Sequence, residues 1–323
     1  MSRANPLPDV LAGRAFSVAE ARVHGVSASR LRANDLILPT RGVRAPRGEA
    51  AEPSGDETHS QRLARLRGEL FERAALFAPA LTPDQFFSHD CGLALAGAPL
   101  PFTRAAVRAL HVSARRPAGK PRREGVIGHR LQAREAARWT ARGLPIEHPA
   151  RMWRQAAALW HVDDLIAAGD FLVLPRNRLV TLDDLRREVS EAGDVAGGVL
   201  TRALDAIRVG AETAEETTLR LAIVRAGLPE PQLNWSLRGA DGEFVARLDM
   251  AYPDLKVAVE HDGRTHAFDE AQFARDADRW DRISALGWRL VRVLSHHLHP
   301  DRTVAVRRVA DALVEAGWRP GAR

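Results

Sequence analysis

The sequence predicts an α/β protein of α+β type, built from several domains. Three observations carry that expectation. At 323 residues and 45% hydrophobic content, the chain is long and apolar enough for two or three real cores. Helical spacing of apolar residues and period-two alternation both recur, so helices and strands share the chain. A polar stretch rich in small residues, RGEAAEPSGDE, occupies most of 47–58 and reads as a linker behind an N-terminal unit of residues 1–46.

Within 1–46, Ser17 can cap a short helix through Val18–Val23, and Gly25 ends it. Ser27 can then cap a second helix through Ser29, Arg30, Leu31 and Arg32. Helix, tight glycine turn, helix is a helix-turn-helix pattern. Leu36-Ile37-Leu38 and Gly42-Val43-Arg44 read as a small hairpin, or wing. On a DNA-binding reading the second helix enters the major groove. Ser27, Ser29, Arg30, Arg32 and Asn34 are then the candidate contacts, with Arg41 and Arg44 on phosphate. The structural alternative is a small helical cap that only packs on the rest.

Residues 59–180 form a middle region. Leu63, Leu66, Leu70 and Ala74 have helical spacing. The run CGLALAGAPLP predicts a tightly packed helix that ends by Pro99 and Pro101. Leu110-His111-Val112-Ser113 and Gly125-Val126-Ile127-Gly128-His129 read as strands. The basic loop between them, ARRPAGKPRRE, is expected as a solvated hairpin tip, with phosphate contact as the alternative. His111 and His129 fall on these neighbouring strands; the expected role is structural, with a metal pair as the alternative. Helix is expected over 150–171, ended by Leu172-Val173-Leu174-Pro175. Residues 181–211 read as a helical connector that buries Leu185, Val189, Leu200, Leu204 and Ile207.

The chemistry concentrates in 247–293, inside a last domain of residues 212–315. Asp249 closes one apolar-alternating run, Tyr252-Pro253-Asp254 forms a turn, and a second run over 255–262 carries Glu260 and Asp262. Such a pattern is a hairpin, and it sets Asp249 near Glu260 on adjacent strands. Val257, Val259 and His261 share one face; Lys256, Ala258, Glu260 and Asp262 share the other. Converging carboxylates repel unless a cation sits between them. An all-oxygen cluster prefers a hard cation, Mg²⁺ or Mn²⁺. A metal held this way can grip a phosphodiester and activate water.

Asp249, a spacer, then Glu260-His261-Asp262-Gly263 and His266 resembles the restriction-endonuclease-like PD-(D/E)xK core. More narrowly, the stretch that opens with TAEETTLRLAIVRAGLPEPQ, passes DMAYPDLKVAVEHDG and closes with ARDADRWDRISALGWRLVRV resembles domain-of-unknown-function family 559, a relative of the very-short-patch-repair endonucleases. The resemblance implies that Asp249 and Glu260 are metal ligands, with the His261 carbonyl as a third. It makes Glu216 an outer acidic ligand and His266 a base or phosphate contact. Asp262 stands where the usual pattern has lysine; the short-patch relatives also lack that lysine. Lys256 lies roughly 13 Å back along an extended strand and cannot replace it. Asp262 or His266 is then left to assist the attacking water, and Arg275, Arg279 and Arg292 are expected to flank the site. The local alternatives are solvent-facing carboxylates at Asp249 and Glu260, and a capping box, Thr213-x-x-Glu216, at Glu216. The winged unit and the middle region, with its SH…A…L…G…PLP and HPARMWRQAA segments, resemble AbiEi-type antitoxins, which implies a transcriptional repressor and leaves open whether a toxin partner exists.

Charge and composition narrow the classes. The net charge is +6 and the isoelectric point about 10.6, which suits a nucleic-acid partner. The single cysteine, Cys91, excludes an intrachain disulfide and a cysteine-based zinc knuckle. No apolar run is long enough to span a bilayer and the N-terminus lacks a signal-peptide core, so the expected location is cytoplasmic. P-loop, dinucleotide and nucleophile-elbow motifs are absent, so no small-molecule cofactor is expected. His296, His297 and His299 have no acidic or cysteine partners in sequence and read as a strand end. Three functions stay open: a metal-dependent DNA endonuclease or nickase targeted by the winged unit, an antitoxin-type regulator with an inactive nuclease fold, and a partner-binding protein that uses neither site. The first requires Asp249, Glu260 and Asp262 to converge; the second, an intact recognition face beside a spread or blocked acidic cluster.

Overall fold

The computed structural model describes residues 5–48, 59–101, 109–131, 139–195, 197–262 and 270–321, with the side chains of 59–60 and 270–276 outside that description. The chain divides into two compact units, residues 1–160 with 191–196, and residues 161–190 with 197–323. The mixed α/β class follows directly from three sheets interleaved with helices. Among the described residues no helix is long and apolar enough to cross a membrane.

The first unit opens with β1 (Phe16–Ser17), α1 (Val18–Val23), β2 (Leu36–Ile37) and β3 (Val43–Pro46), whose strands form an antiparallel sheet in the order β1-β3-β2. Ser17 caps α1 as its position predicts, its Oγ accepting from the Glu20 amide at 3.0 Å. Leu11, Phe16, Ala21, Val26, Leu31 and Leu36 form the core. The expected second helix is only a 3-10 turn, Arg30–Arg32. Leu31 is the sole apolar residue there, and Ala33-Asn34-Asp35 offers nothing for a further turn to bury.

Next come α2 (His59–Phe77), β4 (Gln85–Phe87), α3 (His89–Leu95), β5 (Leu110–Ala114), β6 (Val126–Arg130), β7 (Trp139–Ala141), β8 (Leu144–Ile146) and α4 (Pro149–Ala156). The sheet runs β6-β5-β4-β8-β7. Small residues let α3 press on α4: a Cβ at Gly92 would stand 2.3 Å from the Met152 sulfur. The loop between β5 and β6 is not a hairpin tip. These strands are parallel, Leu110 opposite Val126, so the loop crosses over and returns. It passes so near β6 that a Cβ at Gly128 would meet the Pro121 carbonyl oxygen at 2.1 Å.

The helix expected over 150–171 is two. After α4 the chain turns, and α5 (Val162–Val173) restarts with Asp163 and Asp164 in its first turn, where the helix dipole favours them. The connector also breaks, into α6 (Leu182–Ala192) and α7 (Val199–Ala206). Gly193, Gly197 and Gly198 between them all have positive φ, which only glycine adopts freely.

The rest of the second unit is α8 (Ala214–Arg225), β9 (Gln232–Arg238), β10 (Phe244–Tyr252), β11 (Val257–Asp262), α9 (Glu270–Ala285), β12 (Arg289–Leu294), α10 (Ser295–Leu298) and α11 (Thr303–Glu315). The sheet order is β12-β11-β10-β9. β9, β10 and β11 are antiparallel. β12 is parallel to β11, with α9 as the crossover. One face of the sheet buries Leu219 and Ile223 of α8 and Val309 and Leu313 of α11 against Val257 and Val259. The other packs Ile283 of α9 against Leu248 and Ala258. The strand faces of β11 are thus as the alternation predicts. In β9 they are not. Leu233 packs with Met250, whereas Trp235 packs with Leu248. Residues two apart should share a face, but Asn234 between them is left-handed, φ +51°, and turns the pleat over. Leu248 and Met250 likewise fall on opposite faces, and Asp249 lies between them.

Candidate functional site: an acidic breach in the β10–β11 ladder

Pairing between β10 and β11 runs from Tyr252↔Val257 to Met250↔Val259 and stops. One step further, where Asp249 stands across from Glu260, the carboxylate replaces the backbone: the His261 amide donates to Asp249 Oδ2 at 3.2 Å. The hairpin expected from the Pro253-Asp254 turn therefore forms, and it opens at the two acids.

The start of α8 supplies a third acid. Thr213 caps the helix, accepting from the Glu216 amide at 3.2 Å. Glu216 replies, accepting from Thr213 Oγ1 at 3.0 Å and from the Glu212 amide at 2.8 Å. The capping box is real, yet it does not exhaust Glu216. The side chain is 6% exposed, and burial, augmented by the charge of Asp249, pushes its carboxyl up to about 7. Asp249 is also raised by burial, against the opposing His261 amide and the Arg279 charge. Glu260 is raised by burial too, against Arg279, with Asp249 adding to the rise. Glu216, Asp249 and Glu260 are thus three electrostatically linked acids from three elements.

Arginines hold the outer ring. Arg279 donates to both Glu260 oxygens, one at 3.1 Å, and to the Arg247 carbonyl at 2.9 Å. Arg292 reaches Asp262 at 2.5 Å and lies 4.0 Å over the Trp280 ring. Arg247 and Arg176 both pair with Glu212. Asp262 is therefore an ion-pair partner at the edge, not a member of a closed carboxylate trio. Among the described residues, no three acids place one oxygen each within 4.8 Å of one another. His266 and the side chain of Arg275 lie outside the described residues. Lys256 donates to the Leu286 carbonyl at 3.2 Å, away from the acids.

The N-terminal contacts divide in two. Arg30 is spent on Asp35, at 2.8 and 2.7 Å, and Arg44 on the Leu31 and Val43 carbonyls; both brace the module instead of facing outward. Ser27 accepts from the Arg30 amide and meets Ser29, though both serines are exposed. Arg32, Asn34 and Arg41 are exposed.

Sequence reasoning missed the pairing of Arg279 with Glu260, which joins residues 19 apart through a helix. It also missed a buried network of Asp170, Thr217 and Arg220 that fixes α8 to α5. The only sequence signal for the latter was an aspartate and an arginine on otherwise apolar helix faces.

The acids carry a pH prediction. Glu216 folded keeps its proton to about 7, against an ordinary value of 4.5. Between these limits the native state binds more protons than the unfolded chain. Stability is fully present below about pH 4.5 and falls as pH rises through 7, by about 3 kcal/mol for this group alone. Glu216→Gln keeps the capping box and should flatten that slope in urea melts at pH 5 and 7.5. An unchanged slope would show that Glu216 is already ionised.

No family model matches the sequence, and no solved structure matches it. Two curated proteins do, both uncharacterized and both from Mycobacterium tuberculosis, strains CDC 1551 / Oshkosh and ATCC 25618 / H37Rv. Each is 28% identical over 191 residues, covering 59% of this chain and 67% of its own.

Proposed function

We propose that the second unit is a metal-dependent DNA endonuclease or nickase, with the N-terminal winged module as its DNA-targeting element. One observation carries this reading: the β10–β11 ladder opens where half-buried Asp249 faces buried Glu260, so two acids meet at a gap in the sheet. The donor set fits a hard divalent cation. Mg²⁺ is commonly held by one or two carboxylates, with water and substrate phosphate completing its shell. Asp249 and Glu260 would hold it, with Glu216 as the outer acid. Such an ion, when bound, polarises a phosphodiester and lowers the pKa of a coordinated water. The chain's own groups do the rest. The His261 amide holds Asp249 in place, and Arg279 and Arg292, which now pair with Glu260 and Asp262, would turn their guanidinium forks to phosphate once a cation takes those carboxylates. In the winged module, Arg32, Asn34 and Arg41 are the exposed contacts.

A second reading has its own support. Arg279 covers both Glu260 oxygens, and a guanidinium there can substitute permanently for a cation. The protein would then be a DNA-binding regulator of antitoxin type that retains the nuclease fold without its chemistry. Supercoiled plasmid with Mg²⁺ or Mn²⁺, against a chelator control, separates the two. The nuclease reading expects open-circular product only with metal. Retained gel shifts, without cleavage of intact, mismatched or nicked duplex, would support the regulator.

A further inference from the structure

Away from the acidic breach, in the first unit, three histidines from three elements meet. His111 lies on β5 and His129 on β6, where Ser113 pairs with His129. His111 and Ser113 are two apart on β5 and share its face, so both imidazoles rise from the same side of the sheet. His89 opens α3 directly above them. Its ring stacks on His129 with centroids 3.8 Å apart. His129 and His111 rings are 5.0 Å apart and nearly parallel. One nitrogen from each histidine lies within 4.8 Å of the other two.

We propose that His89, His111 and His129 form a binding site for one divalent transition-metal ion of the zinc class, with Asp90 orienting His111 from behind. The nitrogens are already close to ligand spacing. His111 Nδ1 and His129 Nε2 share a hydrogen bond at 3.0 Å, which a metal would replace after a small turn of the rings. Two imidazoles on one tetrahedral ion, with bonds of about 2.0–2.1 Å, stand about 3.3 Å apart. His111 presents its other nitrogen, Nε2, to Asp90 Oδ1 at 3.7 Å. Asp90 Oδ1 also accepts the Cys91 amide at 2.7 Å; shortening the His111 contact to hydrogen-bond distance on metal binding would give the carboxylate–histidine–metal order in which the outer acid sets the tautomer of the ligand. His89 Nδ1 is taken by Ser88 Oγ at 2.9 Å, which leaves Nε2 as its ligand atom. Ser113 Oγ donates to Ser88 Oγ at 2.7 Å and ties that support to β5.

The backbone adds an independent sign. His89 is left-handed, φ +57°, a conformation that costs a non-glycine residue and persists where the surroundings impose it. Gln155 of α4 imposes it here, its Oε1 accepting the His89 amide at 3.0 Å. Burial lowers the basicity of all three imidazoles, His89 to about 3 and His129 to about 4. Neutral imidazole is the form that ligates. Cys91 is no ligand: its Sγ turns to the His111 carbonyl at 3.8 Å, and burial pushes the thiol up to about 12. Three nitrogens with no thiolate and no direct carboxylate select Zn²⁺, Co²⁺ or Ni²⁺ over Mg²⁺, and leave one coordination position for water.

The test uses the full chain, stripped with a chelator and titrated with Co²⁺. To silence the acidic breach, the titration is repeated in Asp249→Asn/Glu260→Gln. Asp249→Asn/Glu260→Gln should take up one equivalent and wild type at least one, both with visible d–d bands of a four- or five-coordinate nitrogen site, and Zn²⁺ should bleach them. His129→Gln should weaken Co²⁺ binding at least 100-fold, and Asp90→Asn by about 10-fold. If His129→Gln fails to fold by circular dichroism, the Zn²⁺ bleaching and a Zn²⁺-dependent rise in Tm of the wild type decide instead. Absence of d–d bands in wild type overturns the proposal. So do bands that persist in folded His129→Gln, or that vanish in Asp249→Asn/Glu260→Gln.

Discussion

If the proposed nuclease reading holds, Asp249→Asn and Glu260→Gln should each cut metal-dependent plasmid nicking by about 1000-fold, while the protein stays folded. The isosteric amides are chosen because each acid also has a structural duty. Asp249 accepts the His261 amide, and an asparagine oxygen can still do so. Glu260 neutralises Arg279, and glutamine keeps one acceptor for it. What the amides remove is negative charge at the gap. Losing one of two carboxylate ligands forfeits several kcal/mol of charge stabilisation in a phosphoryl transition state, which is two to four decades in rate. Stability should move little, because both carboxyls are raised by burial, and a neutral group no longer pays for desolvation. Single-turnover nicking at saturating Mn²⁺, with a parallel urea melt, measures both. Rates within a few-fold of wild type in both folded variants would remove the acids from the chemistry and favour the regulator.

Asp170→Ala should cost about 3–5 kcal/mol of stability in the second unit, the largest single effect expected outside the site. Asp170 and Arg220 are each 1% exposed. Asp170 accepts from the Arg208 amide at 2.7 Å, from Thr217 at 2.8 Å and from Arg220 at 2.9 Å. Arg220 also donates to the Ala206 carbonyl and to Glu230. Removing the aspartate takes the buried one of two carboxylates from Arg220, leaving it the half-exposed Glu230, and strands the Arg208 amide and the Thr217 hydroxyl; a buried charge that loses its buried partner costs far more than the intact pair contributes. Asp170→Leu/Arg220→Met should recover most of the loss, since it removes both charges. Urea unfolding of wild type, Asp170→Leu, Arg220→Met and Asp170→Leu/Arg220→Met closes a double-mutant cycle. A cost under 1 kcal/mol for Asp170→Ala would mean that water reaches the network. The network also bears on the site, because Thr217 follows Glu216 in the first turn of α8. Loosening it should weaken Mn²⁺ binding as well as stability.

Several features were legible without coordinates because their causes are local. Ser17 and Thr213 cap their helices through groups three residues away. The β10–β11 hairpin follows from alternation and a Pro-Asp turn, and the register it sets places Asp249 against Glu260. The faces of β11 follow from the pleat alone. The recognition helix failed for an equally local reason: Leu31 has no second apolar residue to extend its 3-10 turn.

Other features answer to partners far along the chain, and only the tertiary structure decided them. The direction of β6 beside β5 is set by how the intervening loop packs back over Gly128, so a basic Gly/Pro stretch that reads as a hairpin tip becomes a crossover. The pleat turns over at Asn234 because that residue is left-handed, which its identity permits but does not require. The choice of Arg279 for Glu260 and Arg292 for Asp262 depends on where α9 and β12 dock, and ion pairing has no sequence period to betray it. His89 joins His111 and His129 only when α3 settles over the sheet. By itself the sequence determined the caps, the hairpin and its two opposed acids, since backbone sterics and hydrogen bonds act over a few residues. Which charge meets which, and which histidines share a corner, was left to packing, because those energies exist only between segments the fold has brought together.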